Sequence, residues 1–224
     1  MNDKQNERYM NIKYSNKRYI KLDLFFSKMK KIYLKYFDVL AYKMEKIAEL
    51  YDNSAYDKYQ KEKKLLDIVN AKNILHVGCG SYPATAIALT RISNANIVSI
   101  DKDPTVIENA KRIVNKKNLG KKITIDLGDI IDYPIKNFDV IISRGIIYPK
   151  EKILKHLFEA AEPQTKIILS FSGFQYKFIF KNITLPDNII ISNKIKTNWT
   201  VLEVLFGINN LSYPKTLLVS FIKK

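Results

Sequence analysis

The alternation of short apolar runs with helical segments after Lys72 is the feature that most restricts how this chain can fold. Apolar runs bounded by turn residues indicate buried strands, and the segments between them have helical length and spacing. This order is typical of a parallel sheet with crossover helices on its faces. We predict strands over Asn73–Val77, Asn96–Ile100, Ile123–Leu127, Phe138–Ser143, Lys166–Ser170, Asn188–Lys196 and Lys215–Lys223, and helices over Ala84–Arg91, Pro104–Asn118 and Glu151–Ala161. The pattern therefore predicts an α/β fold, a doubly wound sheet closed by an antiparallel pair, with Thr200–Phe206 either helical or extended.

The residues before the sheet follow a different pattern. From about Arg18 to Asn70 the apolar side chains recur at helical spacing, and neither Gly nor Pro interrupts them. We expect helices here, with a break and a cap at Asp52-Asn53-Ser54 and a last helix ending near Val69. The chain is thus divided into an N-terminal helical segment, residues 1–70, and an α/β domain, residues 71–224.

Composition narrows the class of protein but leaves one question open. No apolar run approaches the roughly 20 residues that span a bilayer, and the amino terminus is polar, so we expect a cytoplasmic protein. The formal net charge is +16, carried mostly by lysines spread along the chain. This charge indicates either a polyanionic partner such as RNA or a bias of composition without a partner.

The turn Gly78-Cys79-Gly80 directly follows the first predicted strand. Two glycines let the chain turn sharply and let a ligand approach the backbone, and the next helix points its free amides toward the same crevice. A two-glycine turn alone is a weak signal, but its place after the first strand of an alternating pattern strengthens it. We expect Gly78, Cys79 and Gly80 to contact a nucleotide-like ligand. The third glycine of a dinucleotide fingerprint is missing.

Three further loops are predicted to reach the same edge of the sheet. Asp101 and Lys102 follow the second strand, where a carboxylate can accept both hydroxyls of a ribose, while Asp103 is placed to cap the next helix. Gly128 and Asp129 follow the third strand, where a carboxylate and nearby amides can meet an adenine. Alternatively, Asp129 fixes its own turn.

The fourth strand delivers Ser143-Arg144-Gly145 to this edge. Arg144 could bind a substrate carboxylate through a bidentate fork or form a surface ion pair. Ligands of open α/β sheets bind at this edge, so Ser143 is a further candidate for cofactor contact.

The order of the glycine turn, Asp101, Gly128-Asp129 and Phe138–Ile142 resembles the class I S-adenosylmethionine-dependent methyltransferases, over about residues 72–224. The resemblance implies a Rossmann-like sheet of strand order 3-2-1-4-5-7-6 with strand 7 antiparallel, and S-adenosylmethionine as cofactor. It places the two glycines against the methionine part, Asp101 on the ribose and Asp129 near the adenine. Tyr51 resembles the tyrosine-containing segment that many of these enzymes place over the cofactor.

One position departs from that family. Its members usually carry Asp or Glu two residues before the first glycine, where this chain has His76. The sequence Gly78-x-Gly80-x-x-Pro83-x-Thr85-x-Ile87 is similar to the glycine turn of the nicotianamine synthase-like group, in which a helical domain precedes the Rossmann-like domain. That resemblance implies transfer of the aminocarboxypropyl arm of S-adenosylmethionine to an amine.

The predicted function is an S-adenosylmethionine-dependent transferase acting on a small-molecule acceptor, by methyl or aminocarboxypropyl transfer. The acceptor is expected to carry a carboxylate that Arg144 binds, and Tyr82 and Glu49 are the other candidate catalytic residues. The alternatives are an RNA methyltransferase, which the net charge favours, and a binding module without activity. His76 and His156 lie far apart in the sequence, and no metal site is predicted.

Overall fold

A computed structural model describes residues 32, 36, 39–66, 68–143, 150–172, 185–197 and 216–224. Its strands form one seven-stranded sheet in the order β3-β2-β1-β4-β5-β7-β6, in which β7 runs antiparallel to both of its neighbours. This order confirms the predicted fold. The strands are β1 Asn73–Val77, β2 Asn96–Asp101, β3 Ile123–Leu127, β4 Val140–Ser143, β5 Lys166–Ser172, β6 Ile189–Thr197 and β7 Thr216–Lys223.

The direction of strand addition reverses between β1 and β4, which are parallel neighbours. In open α/β sheets a crevice forms at the carboxyl ends of the strands where this reversal occurs, because the connecting loops diverge there. The glycine turn follows β1 at that edge, and the loops after β2 and β3 reach the same edge. The topology therefore brings the predicted cofactor loops together at the carboxyl edge of the sheet.

In the described part of the chain the sheet is accompanied by the helices α1 Glu45–Leu66, α2 Ala84–Ile92, α3 Pro104–Lys116 and α4 Lys150–Ala160. A short helical stretch at 39–43 precedes α1. The predicted break at Asp52-Asn53-Ser54 is wrong, because α1 passes through it and the helical assignment is interrupted at Met44 instead. The Asp52 carboxylate is engaged with Tyr82 and Lys117, so it serves a tertiary contact and caps no helix.

The core lies in two layers, one on each face of the sheet, because successive side chains of a strand point to opposite faces. Ile74 and Ile97 belong to the layer beneath α1, α2 and α3, which also includes Tyr59. Leu75 and Ile100 belong to the layer beneath α4. His76 shares the face of Ile74, since the two are separated by one residue of β1.

Strand limits differ from the predicted ones by at most two residues. Phe138 and Asp139 lie before β4, and the Asp139 carboxylate accepts hydrogen bonds from the backbone amides of Lys72 and Asn73, at 2.7 and 2.8 Å. That contact holds the approach to β4 beside the start of β1. The segment Thr200–Phe206 lies outside the described residues.

Candidate active site

The glycine turn is held by its own backbone amides. Gly78 and Gly80 have φ values of +87° and +62°, which strain any residue with a Cβ. The amides of Gly78 and Cys79 donate to the Ile100 carbonyl at 2.8 and 3.0 Å, and the Gly80 amide donates to Asp101 Oδ2 at 3.0 Å. All three amides are therefore used within the protein. The turn leaves none of them for a pyrophosphate, which argues against a dinucleotide.

The space beside this turn is open. A Cβ built on Gly78 would meet no atom within 4 Å, so the backbone there borders a void large enough for ligand atoms to approach. Such open space at the carboxyl end of β1 suits a cofactor that lies against the turn.

Asp101 ties the first two loops together. Its Oδ2 accepts the Gly80 amide and its Oδ1 accepts the Asp103 amide, at 3.0 and 3.1 Å. An ionised carboxylate offers about four lone-pair positions, so about two remain for the two hydroxyls of a ribose. The remaining acceptor positions of Asp101 thus fit the ribose of S-adenosylmethionine. Asp103 accepts the Thr105 amide at 3.0 Å, which confirms it as the cap of α3.

The loop after β3 stands beside the Asp101 loop. The Gly128 amide donates to the Asp101 carbonyl at 3.0 Å. Asp129 Oδ1 accepts the Ile131 amide at 3.2 Å, so Asp129 does fix its own turn, and its Oδ2 lies 3.6 Å from Lys102 Nζ. Lys102 and Asp129, predicted separately as cofactor residues, therefore form an ion pair across the two loops.

Two features of this loop were missed from the sequence. Leu127 is 54 % exposed at the tip of β3, directly opposite Asp101 in the register, and offers an apolar surface where a planar base could pack. Tyr133 packs its ring on Gly128, and its hydroxyl donates to Asp126 Oδ2 at 2.9 Å. Burial, with the hydrogen bond to Asp126, raises the pKa of Tyr133 to about 12. Neither contact follows a recognisable sequence motif.

A buried polar cluster joins α1 to the end of the glycine turn. The Tyr82 hydroxyl donates to Asp52 Oδ2 at 2.9 Å, Lys117 Nζ lies 2.7 Å from the same oxygen, and the Tyr51 ring stacks on Tyr82 at 6.0 Å. Burial and the Asp52 carboxylate raise the pKa of Tyr82 well above its usual range. Tyr82 therefore stays protonated and donates, and it does not act as a phenolate base.

Asp52, and not Glu49, is the α1 carboxylate that contacts Tyr82. Glu49 is exposed on α1, one turn before Asp52, whereas Asp52 is buried against Tyr82. Asp52 Oδ1 is buried and makes no hydrogen bond within the described part of the chain. An open lone pair on a buried carboxylate is costly unless a donor reaches it. The catalytic role suggested for Glu49 stays a prediction, and Arg144 lies outside the described residues.

Two other residues of the first and fourth strands point into the protein. His76 Nδ1 shares a 2.6 Å hydrogen bond with Ser99 Oγ on β2, and burial lowers the pKa of His76 to about 3, so the imidazole is neutral. The Ser143 hydroxyl donates to the Val77 carbonyl at 3.1 Å, and its residue is 1 % exposed. Both side chains link neighbouring strands at the base of the crevice.

Among the residues that the structure describes, no three His, Cys, Asp or Glu side chains are grouped closely enough to hold a metal ion. The helices in that same part of the chain are too short or too polar to cross a membrane.

Residues 68–203 match the protein family described as methyltransferase domain. L-histidine 2-aminobutanoyltransferase from Yersinia pestis is 28 % identical over 123 residues, which are 54 % of this chain and 45 % of that protein. Malonyl-(acyl-carrier protein) O-methyltransferase 1 from Ilyobacter polytropus is 30 % identical over 142 residues, 60 % of this chain and 51 % of that protein. The chain spans about half the length of these curated relatives.

Solved structures show the same fold. A mutant of MtNAS aligns with a TM-score of 0.66 at 13 % identity, covering 91 % of this chain and 77 % of that one. TrmN from Thermus thermophilus aligns with a TM-score of 0.55 at 14 % identity, covering 74 % of this chain and 48 % of that one. At such identities the likeness shows the fold alone. From the family match, the sheet order and the loops at its carboxyl edge, the chain belongs to the methyltransferase domain family, among the class I S-adenosylmethionine-dependent proteins.

Proposed function

We propose that this protein transfers a group from S-adenosylmethionine to a small-molecule acceptor that carries an amine, and that the group is the aminocarboxypropyl arm in preference to the methyl. The binding of S-adenosylmethionine is supported by the Asp101 carboxylate, which accepts the Gly80 amide of the glycine turn and retains lone pairs for a ribose. The proposal that the acceptor carries an amine rests on the buried Asp52 carboxylate.

The residues around the cofactor would act mainly by position. Gly78 leaves open space against the turn, Asp101 would receive the ribose hydroxyls, and Leu127 with Asp129 would border the adenine. When bound, S-adenosylmethionine supplies a sulfonium whose attached carbons are already activated toward a nucleophile. Little remains for the protein except to hold the acceptor in line and to receive its proton.

Asp52 is suited to that second task. Its Oδ2 is engaged by Tyr82 and Lys117. Its Oδ1 is buried and makes no hydrogen bond within the described part of the chain, so an acceptor N–H brought against α1 would satisfy it. Lys117 offsets the charge of the carboxylate, and protonated Tyr82 fixes its orientation. A carboxyl-bearing acceptor would in addition use Arg144 through a bidentate fork.

Two comparisons support a small acceptor and the aminocarboxypropyl arm. One relative is named for transfer of an aminobutanoyl group to L-histidine. The MtNAS structure covers 91 % of this chain, against 74 % for TrmN, so its likeness extends further beyond the domain that methyltransferases share. A complex of MtNAS with S-adenosylmethionine also aligns, with a TM-score of 0.61.

The test is to incubate the purified protein with S-adenosylmethionine and a set of free amino acids that includes L-histidine, and to identify products by mass spectrometry. Release of methylthioadenosine together with an acceptor enlarged by an aminocarboxypropyl group is expected. Release of S-adenosylhomocysteine and a methylated acceptor would support methyl transfer instead. Absence of calorimetric binding of S-adenosylmethionine, S-adenosylhomocysteine and methylthioadenosine at millimolar concentration would contradict the cofactor assignment.

The net charge of +16 favours a second candidate, an RNA methyltransferase. TrmN and an RNA methyltransferase from Salinibacter ruber share the fold, the latter with a TM-score of 0.50 and 16 % identity over 75 % of this chain and 90 % of that one. The same assay with transfer RNA and ribosomal RNA as acceptors distinguishes the two candidates. Only an RNA methyltransferase would transfer methyl groups from S-adenosylmethionine to the RNA.

A further inference from the structure

Positive charge is concentrated at one corner of the molecule. Residues 111–122 contain Lys111, Arg112, Lys116, Lys117, Lys121 and Lys122, which we call the basic corner. All six are exposed, and no acidic residue occurs in the sequence between Glu108 and Asp126. Half of this segment is basic, whereas 38 of the 224 residues of the chain are Lys or Arg. The corner therefore exceeds the general lysine content about threefold.

The backbone of the basic corner is fixed. After α3 ends, Asn118 adopts φ 58°, and the Leu119 amide donates back to the Val114 carbonyl at 2.9 Å, as in a Schellman cap. The Lys122 amide then donates to the Leu119 carbonyl at 2.9 Å before β3 begins, and the Leu119 side chain packs against the core. The basic side chains thus extend from a rigid frame.

Ion pairs inside the protein account for half of these charges. Lys111 pairs with Glu108 and Lys116 with Glu45, both at 3.4 Å, and Lys117 pairs with Asp52. Arg112, Lys121 and Lys122 form no ion pair within the described residues; Lys122 Nζ donates only to a neutral carbonyl, that of Asn94. The helix dipole favours cations within the last turn of α3, which explains Lys116 but neither Lys121 nor Lys122, which lie beyond the helix.

Most of the basic corner lies away from the cofactor loops; Lys117 is the exception, because its Nζ lies 2.7 Å from Asp52 Oδ2. Because α3 starts after the carboxyl end of β2 and finishes before the amino end of β3, the corner stands at the amino edge of the sheet. Asp101 and Asp129 stand at the opposite edge. The charges of Lys121 and Lys122, which directly precede β3, are therefore not placed to receive the cofactor or the acceptor.

We propose that the basic corner binds the phosphate backbone of nucleic acid, without reading sequence, away from the transfer site. Exposed Asn115 and Asn118 add amide donors of the kind that contact phosphates. The segment has no aromatic residue to stack on bases, and its one large apolar residue outside α3, Leu119, packs inward, which disfavours a membrane surface. The closely spaced phosphates of a duplex attract a group of exposed cations of this kind.

The test is fluorescence anisotropy of a labelled RNA duplex, and of a DNA duplex of the same length, titrated over a range of salt. The triple variant R112E/K121E/K122E should lower the affinity at least tenfold. The slope of log K against log salt should fall by about 2 to 3, since each lost phosphate contact removes about 0.9. The control K136E/K152E/K155E carries the same charge change at exposed positions outside the corner and should bind nearly as the parent does.

An equal loss in both triple variants would overturn the proposal, because net charge alone would then explain the binding. Unchanged affinity in the corner variant, or tighter binding to phosphatidylserine vesicles than to either duplex, would also overturn it. Urea unfolding of each variant verifies that the fold is intact, and calorimetry with S-adenosylmethionine is measured beside it. The calorimetry separates this proposal from the proposed transferase, because the protein can bind a duplex without binding S-adenosylmethionine, and the reverse.

Discussion

The Tyr82 hydroxyl donates a hydrogen bond to the Asp52 carboxylate at 2.9 Å, although the two residues lie 30 positions apart in the sequence. Tyr82 stands two residues before α2 and two residues after the glycine turn, while Asp52 belongs to α1. The bond therefore ties the helical segment to the loop expected to hold the cofactor. The end of the glycine turn and the packing of α1 are linked through one buried pair.

Removing the hydroxyl of this pair should cost stability. In Tyr82→Phe the buried Asp52 carboxylate loses one of its two donors, and a hydrogen bond to a charged group contributes about 1.5–3 kcal/mol. We expect urea unfolding to show a loss of about that size. Glu49→Gln is the matched control on α1, since Glu49 is exposed and its unfolding free energy should change by less than about 0.5 kcal/mol. Equal losses in the two variants would refute the role of the pair.

Asp52→Asn should separate activity from cofactor binding. The neutral amide keeps the shape of the side chain but cannot receive a proton from an acceptor amine, so turnover should fall by at least about tenfold, or about 1.4 kcal/mol in the barrier. Affinity for S-adenosylmethionine, measured by calorimetry, should stay within a few-fold of the parent. Parental turnover in this variant would remove Asp52 from the proposed mechanism.

Asp101→Asn should weaken cofactor binding. A carboxylate accepts the Gly80 and Asp103 amides on its two oxygens, whereas an amide offers only one accepting oxygen. We expect calorimetry to show an affinity for S-adenosylmethionine lower by at least about tenfold, or about 1.4 kcal/mol. Asp103→Asn serves as the control, because Asn caps helices as well as Asp does. A parental affinity in Asp101→Asn would show that the ribose lies elsewhere.

Gly128→Ala tests the packing of the third loop. A Cβ at this position would come within 2.9 Å of Tyr133 Cε2, and closer still to Cδ2, so the ring must move. Overpacking of this kind costs about 1–3 kcal/mol, which thermal or urea unfolding can measure. Gly120→Ala is the matched control, since its Cβ would meet only Asn115 Oδ1, at 3.5 Å. If both variants unfold alike, Tyr133 does not pack as described.

The buried histidine predicts how stability depends on pH. Burial holds the pKa of folded His76 at about 3, below its unfolded value of 6.5. The unfolded chain therefore binds more protons between these two values, so stability rises with pH across this window and is lost as pH falls from 6.5 toward 3. The slope from this group approaches about 1.4 kcal/mol per pH unit.

Urea unfolding at a series of pH values from 4 to 7 measures this slope, and His76→Gln should remove it. His156→Gln, which changes the other histidine, should leave it in place. If the slope of unfolding free energy against pH persists in His76→Gln, the pH dependence arises from carboxylates and not from His76.

Much of the architecture follows from the order of the residues alone. Strands β1 to β5 and α2 to α4 lie within two residues of their predicted limits, because apolar runs and helical spacing record which side chains are buried. The glycine turn, Asp101 and Gly128-Asp129 reach one edge because parallel strands end there together. The parallel arrangement of the strands is therefore sufficient to predict that these loops lie close together.

The sequence by itself determined the sheet, its strand order through the family resemblance, and the loops that meet at its carboxyl edge. The tertiary structure decided which carboxylate of α1 faces Tyr82, since the rotation of a helix on its core depends on packing between distant segments. That packing carried α1 through a predicted cap, buried Asp52 and left Glu49 exposed. Tertiary packing also paired Lys102 with Asp129 and placed the Tyr133 ring on Gly128. These contacts could not be predicted from the sequence, because a local sequence pattern does not specify which side chain a residue will meet.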